Sequence, residues 1–290
     1  MTESPLQSFP SVPLLALDTL WFQVAGTICN LRCTHCFIAC SPENHSHEML
    51  TLQTVRRYLQ EGEELGVREY YFTGGEPFMN RELFPILEAT LRQGPATVLT
   101  NGLFLDAQRC ARLKELESDS EYSLDLRISV DGWGPEDHDR IRGEGTFDRT
   151  MAGVRRLWEA GLNPVLTVTE LAEGIASPSG RERFLEQLRR LGISKPRLKV
   201  LSLFRMGAEQ RRERGYHPWE RLEAGTTVDA EKLQCGSGRM VTSRGVYVCP
   251  ILIDFSAAQM GQTLRQTLRP FALAYPACYT CHVQGVTCRT

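Results

Sequence analysis

The 290-residue sequence lacks most of what would tie it to a membrane or to nucleic acid. No run of residues is long and apolar enough to cross a bilayer. The first thirteen residues carry Glu3 and three prolines, without the basic start and apolar core of an export signal. A formal net charge of −2 and a pI near 6.3 leave no basic excess for phosphate backbones. Local arginine clusters (Arg181, Arg183, Arg189 and Arg190; Arg211, Arg212 and Arg214) are expected to be solvated faces. The expected setting is the cytoplasm, with neither a membrane nor a nucleic acid as partner. Sequence repeats are also missing.

What the chain does have is cysteine. Ten of them in a sequence without an export signal argue for metal binding or catalysis rather than disulfides. They are unevenly spread, with four between positions 29 and 40, five between 235 and 288, and only Cys110 standing alone.

Hydrophobic patterning gives an alternating strand–helix rhythm. Strands are expected at 20–25, 69–73, 97–100, 124–130, 164–169 and 198–203, with helices between them. Six βα units with short connections imply parallel strands and right-handed crossovers, closing at least partly into a barrel or staying open. In either case the loops after the strand C-termini form the active face. The rhythm stops near Met206. The polar stretch 207–231 reads as a linker between a barrel at 1–206 and a small cysteine-rich segment at 232–290. That last segment is expected to hold a hairpin around Ser243–Arg244–Gly245 and a helix near 262–268.

The sharpest signal is Cys29-x3-Cys33-x2-Cys36, on the loop after the first strand. Three thiolates on one tight loop can ligate three irons of a [4Fe–4S] cube, leaving the fourth iron open to a small molecule. Gly74-Gly75-Glu76-Pro77 follows the second strand, Thr100-Asn101-Gly102 the third, and Ser129-Val130-Asp131-Gly132 the fourth. Arg140 and Arg142 lie shortly after. Cys235, Cys249, Cys278, Cys281 and Cys288 form the second group. Cys235 and Cys249 flank the hairpin, and Cys278-x2-Cys281 is a two-thiol clamp. Four such thiolates fit either a fully ligated [4Fe–4S] cluster or tetrahedral zinc, and spacing alone does not decide.

The C-x3-C-x2-C trio, with aromatic-type His35 before its last cysteine, and the GGEP turn together resemble the radical SAM superfamily. The resemblance covers roughly residues 18–205. It implies an α/β fold, a partial (β/α)6 TIM-like barrel. It also implies a cluster on Cys29, Cys33 and Cys36 whose open iron is chelated by S-adenosylmethionine. Reductive splitting of that cofactor yields a 5′-deoxyadenosyl radical, which abstracts hydrogen from a substrate. Gly74, Gly75, Glu76 and Pro77, with Asn101, Ser129, Asp131 and Arg142, are then the expected cofactor-binding positions. Glu76 or nearby carbonyls would accept from the cofactor ammonium, whereas Arg142 either anchors its carboxylate or pairs with a neighbouring acid.

Cys235-x9-Gly245-x3-Cys249 resembles the start of the twitch and SPASM auxiliary-cluster domains, one residue short of their usual spacing. The cysteine count implies one auxiliary [4Fe–4S] cluster on Cys235, Cys249, Cys278 and Cys281, with Cys288 as a spare or substitute ligand. The resemblance implies an oxidoreductase or carbon-skeleton chemistry, with a flavodoxin- or ferredoxin-type reductant. Only about 18 residues precede the first strand, too few for a leader-binding domain, so a small-molecule substrate is expected over a peptide. A peptide maturase and a non-catalytic cofactor-binding protein are the alternatives. Cys40 and Cys110 are expected as buried thiols, the tryptophans as packing residues, and His45 and His47 as exposed.

Overall fold

The computed structural model describes residues 9–171 and 174–285. After a short strand β1 (Ser11–Val12), the expected rhythm appears as β2 (Thr19–Gln23), α1 (Leu52–Glu64), β3 (Glu69–Thr73), α2 (Leu83–Thr90), β4 (Ala96–Thr100), α3 (Ala107–Ser118) and β5 (Leu124–Ser129). It continues through α4 (Pro135–Arg142), α5 (Thr146–Glu159), β6 (Val165–Thr169), α6 (Pro178–Arg190) and β7 (Arg197–Leu201). Strands β2 to β7 are parallel and adjacent in chain order. This is the α/β, partial-barrel architecture.

Local chemistry explains the elements. Helix α1 begins where the Thr51 hydroxyl accepts from the Thr54 N–H, and it buries Val55, Tyr58, Leu59 and Gly62, spaced along one face. Successive strand residues point to opposite faces. Leu20, Phe22, Tyr70, Phe72, Leu126 and Ile128 therefore pack beneath the helices. Trp21 and Tyr71 turn to the inner face, into a second apolar cluster with Phe204, Met240 and Tyr247.

The C-terminal segment builds onto the same sheet. After α7 (Ala208–Arg212) come β8 (Gly238–Thr242), β9 (Gly245–Tyr247), β10 (Gln259–Gly261), β11 (Phe271–Ala272) and α8 (Pro276–Gln284). Strand β8 pairs in parallel with β2, and β9 and β10 follow antiparallel, giving nine strands in the order β10-β9-β8-β2-β3-β4-β5-β6-β7. β11 pairs with β1.

Three local expectations change. The helix expected near 262–268 is a single 3-10 turn, Arg265–Thr267. There the Gln266 side chain accepts from the Gln262 and Thr263 N–H groups, a local alternative to helical pairing. The stretch 207–231 contains α7, whose start is pinned to the cysteine loop by Ala208 N–H donating to the Cys36 carbonyl at 2.8 Å. Helix α4 was not foreseen. Its signals were Pro135 at the first turn, Glu136 and Asp137 beside it, and Arg140 and Arg142 in the last turn, which suit the helix dipole.

Candidate cofactor site

The cysteine loop leaves the C-terminal end of β2 and is clamped by the glycine turn after β3. Gly75 N–H donates to the Gly26 carbonyl (2.9 Å), and Glu76 N–H to the Ile28 carbonyl (3.0 Å). A Cβ on Gly75 would lie 2.0 Å from the Ile28 oxygen. Gly74 adopts φ +149°, where a side chain would also meet Ala25. The close approach that requires these glycines is therefore between two protein loops.

Glu76 is fully buried, and its carboxylate is occupied by the protein. It accepts from the Phe78 N–H (3.1 Å), the Thr100 hydroxyl (2.7 Å) and the Asn101 N–H (2.8 Å). Burial raises its pKa, and these donors oppose the rise. Pro77 opens the 3-10 turn that Glu76 caps. Asn101 Nδ2 donates to Asn30 Oδ1 (2.8 Å), tying the turn after β4 to the cysteine loop. Gly102, not Asn101, takes the left-handed backbone there. Ser129 is half-buried at the C-terminal end of β5.

Asp131 is the hub. At 2% exposure, its Oδ2 accepts from Arg142 Nε and from a terminal guanidinium nitrogen, each at 2.7 Å, and lies 2.9 Å from His35 Nε2. Its Oδ1 accepts from Thr169 N–H (2.7 Å). Burial pushes this carboxyl up, but Arg142 and His35 outweigh it and hold the group well below the usual carboxylate range. Of the two roles expected for Arg142, the structure shows the acid pairing. The guanidinium also donates towards Cys33 Sγ, 3.9 Å away. His35 Nδ1 is buried without a partner among the described residues. A ligand beside Cys36 would complete it.

Cys29, Cys33 and Cys36 feel one another's charge. Burial pushes Cys29 up to about 12 and Cys33 up to about 11, with Arg142 opposing the second. The Cys40 thiol and the Cys40 and Ile38 N–H groups lower Cys36 to about 6. Among the described residues no three His, Cys, Asp or Glu side chains converge on a single ion. Three thiols on one loop, a guanidinium at one of them and an unpartnered ring nitrogen between two of them therefore fit an iron–sulfur cluster with a bound cofactor.

At the other edge of β2, four thiols line one apolar pocket. Cys235 precedes β8, Cys249 follows β9, and Cys278 and Cys281 lie on α8, with Leu233, Ile251, Leu273 and Ala277 between them. Burial raises Cys235 to about 11 and Cys278 to about 12, and mutual repulsion adds to the rise at Cys278. Cys249 is raised further still. Arg239 on β8 is almost completely buried and has no carboxylate partner among the described residues; its donors go to the carbonyls of Cys235, Gly238, Thr267 and Arg269. Its charge acts on Cys235 and Cys249, and burial lowers it to about 10. A buried cation acting on two of four clustered thiols fits an anionic metal–thiolate centre. Cys288 lies outside the described residues.

The bland expectations divide. Cys40 and Cys110 are buried. His47 is not exposed: it is 1% accessible, and its Nε2 lies 3.1 Å from the Ile253 carbonyl, linking the cysteine loop to the C-terminal segment. Trp219, by contrast, is 71% exposed.

The fold and the cysteine loop define a class of cofactor-binding barrel, and comparison with known proteins gives the family. The profile of the radical SAM superfamily matches residues 24–175. The chain belongs to the radical SAM superfamily and is an enzyme of that class, so a [4Fe–4S] cluster and S-adenosylmethionine are its cofactors. GTP 3′,8-cyclase of Edwardsiella ictaluri is 27% identical over 219 residues, covering 75% of this chain and 63% of that protein. AdoMet-dependent heme synthase of Oleidesulfovibrio alaskensis is 30% identical over 143 residues, covering 49% of this chain and 35% of that protein. The match thus spans less than two thirds of either curated relative. Among solved structures, anSMEcpe with bound AdoMet aligns with TM-score 0.63 at 16% identity, covering 86% of this chain and 79% of that one. Streptococcus suis SuiB aligns with TM-score 0.57 at 14% identity, covering 84% and 62%. Both share the fold. No helix among the described residues is long and apolar enough to cross a membrane.

Proposed function

We infer that this enzyme abstracts hydrogen from a small molecule and completes a two-electron oxidation or a rearrangement with the help of an auxiliary [4Fe–4S] cluster. The observation that carries the reading is the four-cysteine pocket, built on strands that continue the barrel sheet from β2. Cys29, Cys33 and Cys36 would hold the first cluster, and Cys235, Cys249, Cys278 and Cys281 the second. Bound there, the first cluster supplies the electron that splits S-adenosylmethionine.

The chain's own groups do the remainder. Gly75 and Glu76 fix the cysteine loop through their N–H groups. Asp131 sets the position of His35 and of Arg142, and Arg142 places positive charge at Cys33. The barrel strands bury their inner face, keeping water from a reactive radical. The curated relatives described above are named for work on GTP and haem, which favours a small substrate. A flavodoxin- or ferredoxin-type protein would deliver the electrons. A peptide substrate is the competing reading, since the SuiB fold has also been solved with a precursor peptide.

Anaerobic reconstitution should load about eight irons per chain, two cubes of four. Cys278→Ala with Cys281→Ala should leave about four. About four irons and one zinc in the unsubstituted protein would overturn the auxiliary cluster. With S-adenosylmethionine and a strong reductant the holoenzyme should release 5′-deoxyadenosine.

A further inference from the structure

The inner face of the sheet holds a buried cation that makes no direct ion pair among the described residues. Arg127 lies on β5 between Leu126 and Ile128, which pack beneath the helices, so its own side chain points to the opposite, inner face. It is 3% exposed. Its guanidinium carbon stands 5.0 Å from the centre of the Tyr71 ring, and it donates to the Tyr71 hydroxyl at 3.5 Å. Tyr71 stacks on Trp21, with centroids 4.4 Å apart and planes 14° from parallel. No carboxylate among the described residues pairs with Arg127, and its Nε is buried without a hydrogen-bond partner. Of the neighbouring acids, Glu69 accepts from the Tyr71 hydroxyl and makes no direct pair with Arg127, and Asp125 pairs with Arg197.

Two other buried guanidinium groups show what is missing. Arg142 has Asp131, and Arg239 spends its donors on carbonyls. Arg127 has a π-face and one long hydrogen bond. A buried charge left this incomplete is costly unless a partner arrives. The planar fork of an arginine matches a carboxylate or a phosphate through two parallel bonds. Access exists on the same face: Leu99, in register with Arg127, and Ser129, two residues towards the strand C-terminus, are half-exposed. In the same interior, Trp21 Nε1 and Gln23 Oε1 are also buried without partners among the described residues.

We propose that Arg127, backed by the Tyr71–Trp21 stack, is an anion-binding subsite of the barrel interior, and that the substrate carries a carboxylate or phosphate that pairs with it. This rests on the reading that a substrate binds inside the barrel. Its residues come from β2, β3 and β5, whereas at the cysteine loop Arg142 supplies the cation.

The test uses the reconstituted holoenzyme titrated with inorganic phosphate and, separately, acetate, against sodium chloride at matched ionic strength. Tryptophan fluorescence and calorimetry follow binding. At least one anion should bind saturably, and which one distinguishes a phosphate from a carboxylate group. Arg127→Lys should weaken binding by about tenfold, because the fork is lost and the charge kept. Arg127→Gln should abolish it. Trp21→Phe keeps Arg127 and should remove the fluorescence change while leaving the heat, which localises the site even if Arg127→Gln folds poorly. Absence of saturable binding in the unsubstituted protein, an unchanged response in Arg127→Gln, or displacement of the anion by S-adenosylmethionine would each overturn the proposal. Release of 5′-deoxyadenosine, measured on the same preparation, judges the radical chemistry separately.

Discussion

Replacing Asp131 by Asn removes one negative charge and almost no volume. The two carboxylate oxygens receive only donors: Arg142 twice and the His35 ring on one, the Thr169 N–H on the other. An amide placed there sets an NH2 group against a donor whichever way it is turned. The Arg142 guanidinium, 10% exposed, then keeps its charge without a counter-charge. Breaking a buried pair from one side costs about 3–5 kcal/mol, and the hydrogen bonds to His35 and Thr169 place this site at the upper end. Urea unfolding of the cluster-free protein, followed by circular dichroism under anaerobic reducing conditions, measures the loss. In Asp131→Asn with Arg142→Met, no buried charge is stranded, and a coupling of about 1–3 kcal/mol should return. A loss below about 1 kcal/mol for the single change, or additive losses in the pair, would refute the hub. The pH dependence has a fixed sign. The depressed carboxyl stabilises the fold above the ordinary carboxylate range, and that stability is lost as pH falls through its folded-state value. Asp131→Asn should flatten this acid limb.

Further outcomes follow from other contacts. Gly75→Ala puts a methyl 2.0 Å from the Ile28 oxygen, so the loops must part and iron loading at the proposed Cys29, Cys33 and Cys36 site should fall sharply, read as iron per chain. Burial lowers His138 to about 4 from an unfolded value near 6.5, and its Nδ1 accepts from the Asp131 N–H. The neutral ring therefore favours folding fully above pH 6.5, and about 3 kcal/mol is lost as pH falls to 4, visible as a declining melting temperature that His138→Asn lacks. Arg239→Met removes the buried cation beside Cys235 and Cys249. With the proposed cluster on the C-terminal thiols, its reduced, more negative state would lose more than the oxidised one, so its midpoint potential should become more negative in a redox titration followed by electron paramagnetic resonance.

How far the sequence reaches depends on the range of each interaction. The βα rhythm was legible because strand and helix periods are local and the strands are continuous apolar runs. The cysteine loop and the glycine turn were legible because their chemistry is held in a few adjacent residues. Helix α4 leaves little trace in the hydrophobic pattern because 135–142 is almost wholly polar, and its signals lie in capping order. His47 looked exposed because its neighbours are polar, yet it is covered by Ile253, over two hundred residues away.

By itself, then, the sequence determined the α/β rhythm, the thiols and the turns that follow the strands, since spacing along the chain is enough to specify them. Tertiary structure alone decided which groups are already spent. It turned Glu76 inward to hold the turn after β4, gave Arg142 to Asp131, and attached the C-terminal cysteines to the barrel through β8. It also left Arg127 buried on the inner wall with no direct ion pair among the described residues. Pairing and burial join residues far apart in the chain, and no local pattern encodes which charge finds a partner.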